Sequence, residues 1–98
     1  MDILERYITL LESILNDSTT RMKYIYQFFD EVVSESDDVI YNDEIDDLLF
    51  NLALELDYYY PDIETRKQDP YYFGEEKLVK IIPPVVTKLK EELNKSKI

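Results

Sequence analysis

At 98 residues the chain fits one domain spanning 1–98, large enough to bury a core without disulfide or metal staples. It has no cysteine, no histidine and one glycine, which removes thiolate chemistry, the commonest general base and metal ligand, and glycine-rich phosphate loops. The net charge of −11 is uneven, with thirteen acids and no base between Lys23 and Arg66, and this argues against direct nucleic-acid or anionic-membrane binding.

Asp2 followed by Glu5 reads as a capping box. Leu4, Tyr7, Ile8, Leu11, Ile14 and Leu15 then recur at i, i+3, i+4 spacing, which predicts a helix over 2–16. Asn16-Asp17-Ser18 ends it and offers caps to a second helix over 18–34, with Met22, Ile25, Tyr26, Phe29 and Val32 or Val33 on one face. Tyr24 and Phe28 lie beside that face. The short connection makes these two helices antiparallel neighbours. The second helix runs out in Ser34-Glu35-Ser36-Asp37-Asp38, whose short polar side chains compete for backbone bonds. Val39-Ile40-Tyr41 has no strand-like run to pair with and reads as a packed loop.

Asn42 or Asp43 caps a third helix over 43–57, with Glu44, Asp46 and Asp47 where the dipole favours anions. Ile45, Leu48, Leu49, Leu52 and Leu56 form its main stripe, with Phe50, Ala53 and Leu54 close by. A helix apolar on so much of its circumference belongs near the centre of a bundle. The next stretch, Tyr58 to Gly74, holds Pro61 and Pro70 and cannot be a regular helix. Five of the chain's nine tyrosines and Phe73 crowd into it, so it is no flexible linker. An ordered loop laid across the helical body is expected, of a length more often functional than not. Leu78, Ile81 or Ile82, Val85, Leu89 and Leu93 place a last helix over 75–95, bent or broken at Pro83-Pro84. The fold expected is all-α: a single-domain antiparallel four-helix bundle, its last helix kinked and a tyrosine-rich loop between helices three and four.

The acidic run Asp43-Glu44-Ile45-Asp46-Asp47 lacks the alternating ligands and mid-loop glycine of a calcium site. It is accounted for as a charged first turn, and no metal or other cofactor is expected. Paired carboxylates suffice for glycosidase chemistry, but a sugar cleft is also needed, so a non-enzyme is expected. Tyrosine beside carboxylate on a rigid support suits gripping another protein. The expected partner-binding residues are Asp37, Asp38, Asp43, Glu44, Asp46 and Asp47 for charge. Tyr58, Tyr59, Asp62, Glu64, Tyr71 and Tyr72 are expected to supply packing and orientation. No apolar run approaches the roughly 18 residues of a membrane span, and no basic-then-apolar leader opens the chain, so a cytoplasmic monomer is expected.

Leu49-Phe50 with the acidic helix end after it, Tyr60-Pro61-Asp62, Arg66, Asp69-Pro70-Tyr71-Tyr72-Phe73-Gly74-Glu75-Glu76-Lys77-Leu78 and Leu89-Lys90 carry a resemblance. Together they resemble the small helical immunity proteins of bacterial toxins, above all the colicin D immunity family and related pyocin and contact-dependent growth inhibition antitoxins. The resemblance covers the second half of the chain, while the first half matches only as two amphipathic helices. It implies a four-helix antitoxin that fills the active-site cleft of a cognate basic nuclease, tRNA-cleaving in type, with carboxylates. The alternative expectation is an acidic nucleic-acid mimic or regulator that binds a host DNA- or RNA-binding protein.

Overall fold

The computed structural model describes residues 3–33 and 41–96. The chain is all-α, with helices α1 (Ile3–Asn16), α2 (Arg21–Val33), α3 (Asp43–Leu56), α4 (Ile63–Arg66) and α5 (Glu75–Ser96). Among the described residues the only strand-like feature is one isolated parallel bridge, Tyr59 to Phe73. The four long helices touch in a closed cycle, α1 to α2, α2 to α3, α3 to α5 and α5 to α1. Leu4, Leu11, Ile14, Phe28, Ile45, Leu49, Leu52, Leu56, Leu78, Ile82 and Leu89 are fully buried between them. Tyr7 meets Phe28 edge-on across α1 and α2, with ring centroids 5.8 Å apart, and burial raises its hydroxyl pKa above the ordinary tyrosine value.

The joint between α1 and α2 depends on two polar side chains. Asp17 Oδ1 accepts from the Thr19 and Thr20 N–H groups at 3.1 and 3.3 Å, holding these residues in a turn. For that reason α2 starts at Arg21, three residues later than the spacing predicts. Arg21 is buried at 8% exposure, and Nε and Nη2 donate to the carbonyls of Ile14 and Leu15 at 2.7 and 3.0 Å. These are last-turn carbonyls of α1 that lack helical partners. Nη1 lies 2.9 Å from Glu75, so one side chain ties the end of α1 and the start of α2 to the start of α5.

Asn42 caps α3, its Oδ1 accepting from Ile45 N–H at 2.8 Å, while Asp46 accepts from Tyr41 N–H at 2.9 Å. Tyr41 packs against the core. The Asp2 cap, the polar run 34–38 and Val39-Ile40 lie outside the described residues.

Two features depart from the sequence expectations, and a third decides between a continuous last helix and one broken in two. Ile25 and Phe28 form the buried line of α2, whereas Tyr26 is 61% exposed. Apolar residues surround so much of this helix that period alone does not select its inward face. Second, the tyrosine-rich segment includes a turn of helix, α4, capped by Asp62. Third, α5 runs without a break through Pro83 and Pro84. The prolines leave the carbonyls of Val79 and Lys80 without helical donors, and both residues are exposed, where water can hydrate them. Among the described residues no helix is long and apolar enough to cross a membrane.

Candidate partner-binding face

The segment between α3 and α5 is closed at its base by backbone. Phe73 N–H donates to the Tyr58 carbonyl at 3.1 Å, and Tyr60 N–H donates to the Phe73 carbonyl at 2.9 Å. Alternation around this clamp sends Tyr59 and Phe73 into the core, with ring centroids 6.1 Å apart, and turns Tyr58 outward. Within the loop, Asp62 Oδ2 accepts from the Thr65 N–H and hydroxyl at 3.1 and 2.7 Å. The Thr65 bonds hold the Asp62 carboxyl pKa below the usual range. Arg66 lays its guanidinium over Gly74, in the space that a Cβ would occupy, so the chain's single glycine seats that side chain. The Tyr60 and Tyr72 rings meet with centroids 4.4 Å apart, tilted 42° to each other, and Tyr60 is the main cause of a raised Tyr72 hydroxyl pKa.

This scaffold leaves two rings uncovered. Tyr58 is 44% and Tyr71 75% exposed, their centroids 6.4 Å apart. With Asn51, Leu54 and Glu55 of α3, Phe73 and Lys77 of α5, they line a groove of about 420 Å³. Lys77 Nζ sits 4.8 Å from the centroid of the Phe73 ring and 3.9 Å from Glu55 Oε1.

The groove continues into an exposed face of α3. Asp43, Asp47, Phe50, Asn51, Leu54 and Tyr58 recur at i, i+3 and i+4 spacing, and every one of them is exposed. At 1.5 Å per residue, Asp43 and Leu54 lie about 16 Å apart along the axis. Acids therefore occupy the start of this face and apolar groups its end. The second apolar stripe of α3 is thus not centred in a bundle, as its width predicts, but turned outward.

The predicted residues separate by role. Asp43 and Asp47 are exposed, and among the described residues no base pairs with them. Glu44 pairs with Lys88 at 3.0 Å, which lowers its carboxyl pKa. Asp46 is half-buried and engaged with the Tyr41 amide, Asp62 caps α4, and Glu64 pairs with Lys67 at 3.4 Å. Tyr59, expected among the partner-binding rings, is a core residue at 3% exposure and supports the face from beneath. Tyr72 is half-buried against Tyr60, and of the four predicted tyrosines Tyr58 and Tyr71 are the exposed ones. Asp37 and Asp38 lie outside the described residues.

Asn51, Leu54, Glu55, Phe73 and Lys77 are the groove residues that the spacing does not assign to a site, and Phe50 extends the same exposed face of α3. The i, i+4 relation of Phe50 and Leu54 to Tyr58, apart from the core stripe, is the signal that could have found these two. Among the described residues no group of acids is gathered to hold a metal. No protein-family model, no curated protein and no solved structure matches the chain, so its site is read from geometry and charge.

Proposed function

We propose that this chain is an immunity-type antitoxin, a non-enzymatic protein that binds and neutralises a cognate basic nuclease in the cytoplasm. The observation that carries the reading is the α3 face, where uncompensated carboxylates run directly into a rigidly backed aromatic groove. Aromatic side chains anchor the desolvated centres of protein interfaces, and a groove of tyrosines offers area with little entropy to lose.

The charge supports a basic partner. Eight of the chain's eleven bases are already tied to acids, by Arg6–Glu31, Arg21–Glu75, Arg66–Glu76, Lys67–Glu64, Lys77–Glu55, Lys88–Glu44, Lys90–Glu12 and Lys95–Glu92. Cations are thus concentrated in internal pairs, while Asp43, Asp47 and Asp57 are left facing solvent. A nuclease holds RNA through lysines and arginines aimed at phosphates, and spaced carboxylates on a stiff helix can occupy the same positions. Long-range attraction would accelerate encounter, and the aromatic groove would slow departure.

The first test is whether an adjoining reading frame encodes a basic nuclease domain, and the second is co-expression of this chain with that domain. Restored growth, a 1:1 complex and suppressed RNA cleavage in the purified mixture are expected. Undiminished toxicity with both proteins soluble would overturn the reading. Specific retention of a host DNA-binding protein in place of the nuclease would assign the face to a nucleic-acid mimic.

A further inference from the structure

The groove already holds a cation of its own. Lys77 Nζ is 4.8 Å from the Phe73 ring centroid and 3.9 Å from Glu55 Oε1, at a wall that continues into Tyr58 and Tyr71. A positive charge between an aromatic face and a carboxylate is held by the ring quadrupole on one side and Coulomb attraction on the other. The Lys77 and Glu55 side chains are 46% and 50% exposed, so water screens this pair and its grip is weak. The arrangement is a cation site occupied by a loosely held internal ammonium.

We infer that the groove is an arginine-capture site, and that Lys77 is a placeholder which an arginine side chain of a basic protein partner displaces. The inference rests on the partner-binding reading above and names the chemistry of its anchor. A guanidinium suits the site better than an ammonium. It is planar and more weakly hydrated, stacks on tyrosine rings, and can present two parallel N–H groups to Glu55. Tyr58 and Tyr71, tilted 55° to each other, offer ring surface that Lys77 leaves uncovered. Displaced, Lys77 can swing to water, because its flexible stem carries a strongly hydrated head group.

Charge also decides between occupants. The groove's α3 wall belongs to the interval from Lys23 to Arg66 that has no base, and the whole chain carries −11. A second copy would bring eleven further negative charges to the same surface, whereas a basic partner relieves them.

The experiment is an NMR titration of the intact chain with N-acetyl-arginine N-methylamide, following the ring signals of Tyr58 and Tyr71. The citrulline counterpart, equal in shape and uncharged, is the control. Saturable shifts in the millimolar range are expected with arginine and none with citrulline. Lys77→Met vacates the site and should tighten binding about three- to tenfold, by the fraction of time Lys77 blocks it. Glu55→Gln should weaken binding about tenfold through loss of the charge-assisted contact. Equal shifts with citrulline, no shift at either ring, or weaker binding by Lys77→Met would each overturn the inference. Ring shifts on simple dilution would assign the groove to a second copy and overturn it too. A chain that binds the arginine probe yet fails to protect against the nuclease keeps the capture site and loses the immunity reading.

Discussion

Arg21→Met isolates the tie at the α1–α2–α5 junction. Methionine preserves much of the apolar stem but removes donors to two last-turn carbonyls, Ile14 at 2.7 Å and Leu15 at 3.0 Å. A hydrogen bond from a charged donor contributes about 1.5–3 kcal/mol, and a buried carbonyl left bare costs a similar amount. The two bonds share one side chain and do not add fully, so a loss of about 2–4 kcal/mol is expected. The ion pair to Glu75 is a minor part, because the Glu75 side chain is 64% exposed and such pairs yield under about 1 kcal/mol. In a domain of this size each kcal/mol moves Tm by about 4–8 °C, so Arg21→Met should melt at least about 8 °C lower. Glu75→Gln should stay within about 8 °C of the parent. Urea unfolding and thermal melts on both variants provide the comparison. Equal losses would place the stabilisation in the ion pair, and an Arg21→Met protein melting with wild type would refute the carbonyl argument.

Tyr59→Ala should cost about 3–5 kcal/mol, as for other buried aromatic truncations, while Tyr71→Ala should stay within about 0.5 kcal/mol. Equal urea midpoints for the two would contradict the division between supporting and exposed rings. Gly74→Ala needs only the flexible end of Arg66 to swing aside, so a loss below about 1 kcal/mol is expected in the same assay, and a loss of several would reveal rigid packing there. Asp62 is held below its ordinary value of 3.8 by Thr65, so the stability it lends is complete above the unfolded value and disappears as pH falls through the folded one. Thr65→Val should therefore shrink the fall in Tm on acidification through and below that value, and parallel wild-type and variant curves would exclude the effect.

The helices were legible because their apolar residues repeat at 3.6 spacing and their breaks carry Asn, Asp, Ser and Pro. Asn42 could be recognised as a cap for the same local reason, and it bonds Ile45 as such a residue should. What lay beyond reach depended on tertiary partners. Phe50 and Leu54 read as core because hydrophobicity gives no sign of which neighbour is missing, and among the described residues α3 packs against α2 and α5 alone of the other helices. Arg21 gave no signal in sequence, since its carbonyl partners are defined by how α1 ends. In the loop, aromatic density showed that rings must pack, but only the Tyr58–Phe73 and Tyr60–Phe73 backbone bonds decide which turn inward. Composition alone does not distinguish one acid from another. Structure divides them between α3 residues open to solvent and others already engaged in caps or pairs.

The most direct measurement is inhibition of the cognate nuclease, once identified, by wild type, by Tyr58→Ala/Tyr71→Ala and by Asp43→Asn/Asp47→Asn, with melts on the same preparations. All four positions are exposed, so both double variants should fold as wild type does. Loss of the ring pair should raise the inhibition constant about thirtyfold or more, at roughly 1–3 kcal/mol per anchoring ring, mainly through faster dissociation. Loss of the acid pair should instead slow association, and the deficit should shrink as the Debye length falls from about 30 Å at 0.01 M salt to about 8 Å at 0.15 M. Wild-type inhibition by both double variants would contradict the account, because the outward face of α3 would then take no part in binding.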